Sequence, residues 1–123
     1  MVLLCARADL QATAGKSMVD QPLPHLDLTY VDKQPDIAGK PLIVEFWATR
    51  CPPCRKSVPH LNAIYRKYKS KGLEIIGVTK ESGAVIRAFT DQQPIEYPVA
   101  TDPKGRLNKE FEIRKIPHCI LVD

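Results

Sequence analysis

The sequence lacks any apolar run long enough to cross a membrane, for which a helix needs about 20 consecutive apolar residues. It also lacks a strong charge of one sign, since 18 basic and 14 acidic residues leave a net charge of +4. The basic residues are spread along the chain, whereas nucleic-acid-binding surfaces typically cluster them with aromatic side chains. We therefore expect neither a membrane span nor a nucleic acid partner.

Cysteine is scarce, with four residues in a chain of 123, and only two of them lie close together. A small scaffold held by disulfides is usually denser in cysteine, and a four-cysteine zinc site normally uses two close pairs. The sequence therefore predicts no resident metal and no organic cofactor. It favours one redox pair and two separate cysteines, Cys5 and Cys119, of which Cys119 is expected to be a packed core thiol. A site made of His118, Cys51 and Cys54 is the metal-binding alternative.

The length of the chain suits one domain with a core of its own. Residues 1–20 are expected to form a loosely ordered arm. The apolar segment at positions 2–6 has no basic region before it and is soon interrupted by polar residues, so it does not meet the criteria for a signal peptide. Residues 21–123 are expected to form the folded domain.

Apolar runs and helical periods alternate along this domain. Strands are predicted at 26–30, 42–47, 73–79, 97–100 and 119–122, and helices at 52–71, after Ser82-Gly83, and at 107–111. The run at 42–47 is almost continuously apolar, as in a central strand that is covered on both faces. This alternation predicts an α/β layered domain with parallel strand pairs at its centre.

The most informative motif is Cys51-Pro52-Pro53-Cys54, which separates the apolar run from the first helix. With Cys51 as the N-cap, Pro52 occupies a helix position where proline loses only a donor that has no intrahelical partner. A thiolate at Cys51 gains from the positive end of the helix, and such cysteines have pKa values of about 3.5 to 7.5. Cys51 is thus the candidate nucleophile and Cys54 the buried resolving thiol of an exchange site. The alternative is a structural pair or half of a metal site.

Glu45 is the one charged residue within the apolar run. A carboxylate there is expected to lie buried beneath the cysteine pair. It could then carry a proton to and from Cys54 during exchange. The alternative is that Glu45 faces a solvated edge or pairs with a lysine.

Residues 44–55, with their Glu-Phe-Trp run and Cys-Pro-Pro-Cys motif, resemble the active-site stretch of thioredoxin-fold proteins. The most similar group is the TlpA/ResA-like thiol–disulfide oxidoreductases, and weaker matches extend the resemblance over 22–123. It implies a three-layer α/β fold with a central mixed sheet flanked by helices. It also implies a cis peptide bond before Pro117, packed against the cysteine pair, and an Ile116 backbone that pairs with an extended substrate. Trp47 and Pro52 are assigned with Ile116 to substrate binding.

Two features depart from the family pattern. Arg50 stands where the family usually has tryptophan, and this cation is expected to favour the Cys51 thiolate modestly and to attract acidic substrates. The alternative is a solvent-facing arginine whose effect is screened by salt. The family also continues past the position of Asp123, so the last strand and helix are expected to be missing. The exposed sheet edge would then allow a homodimer.

The predicted function is thiol–disulfide exchange on protein or small thiol substrates, with disulfide reduction as the favoured direction and an upstream electron donor as partner. The alternatives are a redox-inactive thioredoxin-fold binding module and a peroxiredoxin-like peroxidase, whose cysteine would lack a CxxC partner. As written, the chain predicts a cytoplasmic protein, while the resemblance also allows a periplasmic or membrane-anchored origin.

Overall fold

Five strands and three α-helices are present in the computed structural model, which describes residues 26–122. In chain order they are β1 (Thr29–Tyr30), β2 (Leu42–Phe46), α1 (Pro52–Tyr68), β3 (Glu74–Thr79), α2 (Gly83–Gln92), β4 (Val99–Thr101), α3 (Arg106–Glu110) and β5 (His118–Val122). A 3-10 turn at Lys69–Lys71 follows α1. The expected arm at residues 1–20 lies outside the described residues.

The strands form one mixed sheet in the order β1-β4-β3-β2-β5. β2 pairs with β3, and β3 with β4, in parallel, whereas β1 and β5 are antiparallel to their neighbours β4 and β2. The connection from β2 to β3 contains α1, and the connection from β3 to β4 contains α2. Both connections move one strand along the sheet in the same direction and both are expected to be right-handed, so the two helices lie on the same face. The predicted α/β domain with parallel pairs at its centre is confirmed.

Each face of the sheet has its own core, because alternate residues of a strand point to opposite sides. On one face Val44 and Phe46 pack with Leu107 and Phe111, and the two phenylalanine rings are 6.0 Å apart at their centroids. On the other face Ile43 packs against α1, and α2 adds Ile86 further along. Every residue of β2 is buried, so its continuous apolar run reflects a strand covered on both sides.

The ends of the helices follow local signals in the sequence. α1 begins with two prolines, and after the 3-10 turn Gly72 has φ of +100°, a left-handed conformation that suits glycine. The Ser82 side chain accepts the Val85 N–H at 3.3 Å and caps α2. Both helices therefore start where the sequence predicted.

The sheet edges differ in part from prediction. β1 is shorter than the predicted 26–30, because its pairing with β4 is limited to Thr29 with Thr101 and Tyr30 with Ala100. Within the described range β5 pairs with β2 alone, so its outer side is a sheet edge. None of the helices between residues 26 and 122 combines the length and apolarity needed to cross a bilayer.

Candidate active site

The cysteine pair lies where β2 leads into α1. A turn follows β2 and is closed by the Cys51 N–H, which donates to the Ala48 carbonyl oxygen at 3.2 Å. Cys51 has an extended backbone (φ −91°, ψ 108°), and its Sγ accepts the Cys54 N–H at 3.2 Å. Because Pro52 and Pro53 carry no N–H, Cys54 supplies the first amide donor of α1. The sulfur of Cys51 therefore occupies the N-cap position, as predicted.

Cys51 and Cys54 are joined by a disulfide, with their Cα atoms 5.1 Å apart. Cys54 is fully buried and packs with Ile86 and Trp47, whereas Cys51 is half-buried at the surface of the same cluster. An incoming sulfur can therefore reach Cys51 more easily than Cys54. The predicted order, with Cys51 outside and Cys54 inside, is confirmed.

The segment that precedes β5 borders the pair. The Ile116–Pro117 peptide bond is cis, as the family resemblance predicted. The Ile116 carbonyl oxygen lies 3.8 Å from Cys51 Sγ, and the Ile116 residue is 37% exposed. The Ile116 backbone thus lies next to the Cys51 sulfur, and the residue is accessible to solvent.

Glu45 is 1% exposed, so it is buried as predicted and does not face a solvated edge. Its register partners are Gly77 on β3 and Cys119 on β5. Tyr97 is buried nearby, and its pKa is raised well above the ordinary value by burial and by the charge of Glu45. The Tyr97 hydroxyl has no hydrogen-bond partner among the described residues. Two buried polar groups therefore share the α1 side of the sheet.

Trp47 supports the pair from the core side. It is 3% exposed, and its ring centroid is 5.5 Å from that of Phe89. A Cβ placed on Gly77 would come within 2.9 Å of Trp47 Nε1 and 3.2 Å of Tyr97 Cε1, so the glycine makes room for both rings. The Trp47 ring is enclosed, and its assignment to substrate binding stays a prediction. Pro52 and the neighbouring Arg50 are exposed.

Gln93 completes the hydrogen bonding of α1. Pro59 lies inside the helix and has no N–H for the Arg55 carbonyl oxygen one turn earlier. The Gln93 Nε2 donates to this oxygen at 3.0 Å. Since Gln93 is the C-cap of α2, the bond also ties α2 to the first turns of the active-site helix.

Two residues that the sequence analysis missed hold the turn before Cys51. The Glu81 carboxylate, just after β3, accepts the Thr49 N–H at 2.8 Å and the Thr49 hydroxyl at 2.7 Å. Their signal in the sequence is positional, since Thr49 follows β2 and Glu81 follows β3. The carboxyl ends of neighbouring parallel strands lie together, and functional residues gather there.

The first residues of β5 differ from expectation in one respect. Cys119 is buried, as predicted, but it is disulfide-bonded and so is not a core thiol. His118 is 4% exposed, and its ring stands edge-on to Phe46 with centroids 6.5 Å apart. Between Leu26 and Val122, no group of three or more His, Cys, Asp and Glu side chains is placed to hold a metal ion.

Comparison with known proteins identifies the family. The model of the AhpC/TSA family matches residues 15–123. The chain belongs to the AhpC/TSA family. A thiol:disulfide interchange protein of the thioredoxin family from Chlorobium tepidum TLS has a similar structure, with a TM-score of 0.66 and 30% identity over 77% of this chain and 72% of that chain. The predicted thioredoxin-like fold is confirmed.

Curated relatives of this AhpC/TSA family chain carry the name thiol-disulfide oxidoreductase ResA. The protein from Bacillus cereus (strain ATCC 10987) is 37% identical over 89 residues, which cover 72% of this chain and 51% of that protein. The protein from Halalkalibacterium halodurans is 31% identical over 113 residues, covering 91% and 64%. The predicted resemblance to ResA-like proteins is confirmed, and the chain spans about half the length of the first relative.

The stability of this AhpC/TSA family domain should depend on the protonation of His118. Burial lowers the pKa of His118 below the ordinary value of 6.5, so the folded protein binds this proton more weakly than the unfolded chain. The stabilising effect of the neutral imidazole is complete above pH 6.5. It is lost as the pH falls from there through the lower folded-state pKa.

Urea unfolding at about pH 7.5 and about pH 5.5 measures this loss. The His118→Leu protein should lose less unfolding free energy between the two pH values than wild type. The matched variant His60→Leu, at an exposed position of α1, should lose as much as wild type. Equal losses in all three proteins would contradict a role for His118.

Proposed function

We propose that this chain catalyses thiol–disulfide exchange, with reduction of protein disulfides as its favoured direction. The observation that supports it most is the position of Cys51 Sγ. It accepts the Cys54 N–H at 3.2 Å at the start of α1 and lies 3.8 Å from the carbonyl oxygen that precedes the cis proline. The names of the ResA relatives support the same chemistry.

The reduced pair would act in two displacement steps. The Cys51 thiolate attacks one sulfur of a substrate disulfide, forms a mixed disulfide, and releases the other substrate sulfur as a thiolate. The Cys54 thiolate then attacks Cys51 Sγ, which breaks the mixed disulfide and releases the second substrate thiol after protonation. Two electrons pass to the substrate, and the Cys51–Cys54 disulfide remains. An external dithiol donor reduces it and completes the cycle.

The helix terminus favours the thiolate of Cys51. The Cys54 N–H points at its sulfur, and the aligned peptide dipoles of α1 place partial positive charge at this end. We assign Arg50 and Pro52, both exposed beside Cys51, to substrate contact. The Ile116 carbonyl group, next to the sulfur, is assigned to backbone pairing with an extended substrate.

Glu45 is proposed to move the proton of Cys54. Glu45 and Cys54 are both buried, and water has little access to either. Glu45 and Trp47 point to the same side of β2, and Trp47 packs with Cys54. A carboxylate on that side can accept the Cys54 proton before the second displacement and return it in the reverse direction.

Cys51→Ser should abolish catalysis of insulin-disulfide reduction with dithiothreitol as electron donor, because the attacking sulfur is lost. Cys54→Ser is the matched control, since it retains the attacking sulfur but not the resolving one. It should accumulate a mixed disulfide that mass spectrometry detects. A Cys51→Ser protein as active as wild type would contradict the proposal. A wild-type protein without exchange and with an ordinary Cys51 pKa would favour the binding module.

Glu45→Gln should slow the second displacement by about 100-fold, the lower end of the usual contribution of general acid–base catalysis. Stopped-flow measurement of mixed-disulfide decay gives this rate directly. Glu74→Gln is the control, because Glu74 is also buried but pairs with Leu42 at the opposite end of β2. Equal rates of mixed-disulfide decay in Glu45→Gln and Glu74→Gln would count against a proton relay through Glu45.

We further propose that two copies associate through β5. Its outer side is a sheet edge within the described range, and Leu121 on this strand is 48% exposed. Light scattering should give twice the monomer mass for the wild-type protein. Leu121→Lys should lower the measured mass to that of the monomer, because lysine on an edge strand opposes pairing with another chain. Val85→Lys, at an exposed apolar position of α2, should leave the dimer intact. A monomer at all concentrations would refute the association.

A further inference from the structure

Glu81 binds the turn before Cys51 through both carboxylate oxygens. Oε1 accepts the Thr49 backbone N–H at 2.8 Å, and Oε2 accepts the Thr49 hydroxyl at 2.7 Å. Hydrogen bonds to an ionised acceptor are roughly twice as strong as those between neutral groups, and two parallel bonds also fix orientation. We call this contact the Thr49–Glu81 clamp.

The carboxylate end of the clamp is itself held by the sheet. The Thr79 hydroxyl, at the end of β3, donates to Glu81 Oε1 at 3.1 Å and accepts the Glu81 N–H at 3.3 Å. The Thr101 hydroxyl, at the end of β4, donates to the Glu81 carbonyl oxygen at 2.6 Å. Glu81 is therefore fixed by two strands before it contacts the turn.

The Thr49 end of the clamp leads to the nucleophile. The Thr49 carbonyl oxygen accepts a bond from Arg55 Nη1 at 3.0 Å, so its N–H, hydroxyl and carbonyl groups are all engaged. Thr49 lies inside the turn that the Cys51 N–H closes on the Ala48 carbonyl oxygen. A movement of Thr49 would thus move the backbone of Cys51 relative to α1.

We propose that Thr49 and Glu81 are positioning residues, which hold the Cys51 sulfur at the Cys54 N–H and the positive end of α1. This inference rests on the proposed exchange function and adds to it the device that sets the nucleophile. Among the described residues, neither Thr49 nor Glu81 forms a hydrogen bond with the Cys51 sulfur. They act through the turn, so their removal should raise the pKa of the Cys51 thiol and slow its attack.

The charge of Glu81 would act on the thiol in the opposite direction. A nearby negative charge disfavours the thiolate, so loss of that charge alone would lower the pKa of Cys51. Displacement of the Cys51 sulfur would raise this pKa, because the thiolate would lose the Cys54 amide donor and the positive end of the helix. Two variants separate these effects. Thr49→Val removes the hydroxyl bond of the clamp and leaves the charge of Glu81. Glu81→Gln removes the acceptor oxygen of the same bond and also removes the charge.

The experiment uses the full chain with the pair reduced. The pH dependence of Cys51 alkylation by iodoacetamide, followed by mass spectrometry of its peptide, gives both the thiol pKa and the rate. Thr49→Val and Glu81→Gln should both raise the pKa. Each should slow alkylation at neutral pH by about tenfold, within the roughly 100-fold that a 1 Å misplacement can cost. Thr49→Ser keeps both clamp bonds and should behave as wild type.

Thr90→Val is the matched control, since it removes a hydroxyl bond to the Arg87 carbonyl oxygen within α2. It should change neither the pKa nor the rate. Unchanged values in Thr49→Val and Glu81→Gln would overturn the proposal, as would a lowered pKa in Glu81→Gln with no change in Thr49→Val.

Alkylation requires no substrate disulfide, so a wild-type protein inactive on insulin would refute the proposed function and leave this result interpretable.

Discussion

Parallel pairing of β2 with β3 runs without a break from Leu42 with Glu74 to Phe46 with Val78, and the Trp47 N–H extends it to the Val78 carbonyl oxygen at 3.1 Å. The residues that follow the two strands are therefore brought side by side. On one strand these are the turn and the cysteine pair, and on the other the segment that carries Glu81. Antiparallel β5 brings its first residues, after the cis proline, to the same edge. The geometry of the site thus depends on the register of three strands.

The start of α1 combines features that favour a reactive sulfur with others that weaken the helix. Two prolines remove amide donors, so the Cys54 N–H turns to the Cys51 sulfur and the Arg55 N–H is the next donor, to the Cys51 carbonyl oxygen at 3.0 Å. Pro59 removes a further donor within the helix. The Gln93 side chain replaces that donor from α2, and the Arg55 side chain binds back to the turn. Tertiary hydrogen bonds thus compensate for a helix that local propensity alone would not favour.

The part of the site that the sequence could predict is the part carried by local signals. A continuous apolar run, a proline pair after a cysteine and a capping serine each act within a few residues, so β2, the start of α1 and the start of α2 were predicted. The cis proline and its approach to Cys51 came from family resemblance. The Thr49–Glu81 clamp and the Gln93 bond join residues more than 30 positions apart. Both contacts depend on the order of the strands and on the face of the sheet that the helices cover, and the hydrophobic periodicity of the sequence determines neither. The enclosure of the Trp47 ring was not predicted, because an aromatic residue beside a motif gives no information on which side of the sheet encloses it.

Three polar side chains, those of Glu45, Trp47 and Tyr97, are buried on the α1 side of the sheet. A carboxylate, a tyrosine hydroxyl and an indole N–H are all buried there, and burial removes each of these polar groups from water. Gly77 reduces the crowding, because any side chain at that position would meet both Trp47 and Tyr97. An apolar residue at position 45 would avoid burying a carboxylate, yet under the proposed mechanism it would remove the group that receives the Cys54 proton. Under the proposed mechanism, the limited access of water to Glu45 and Cys54 is what would direct the Cys54 proton to the carboxylate.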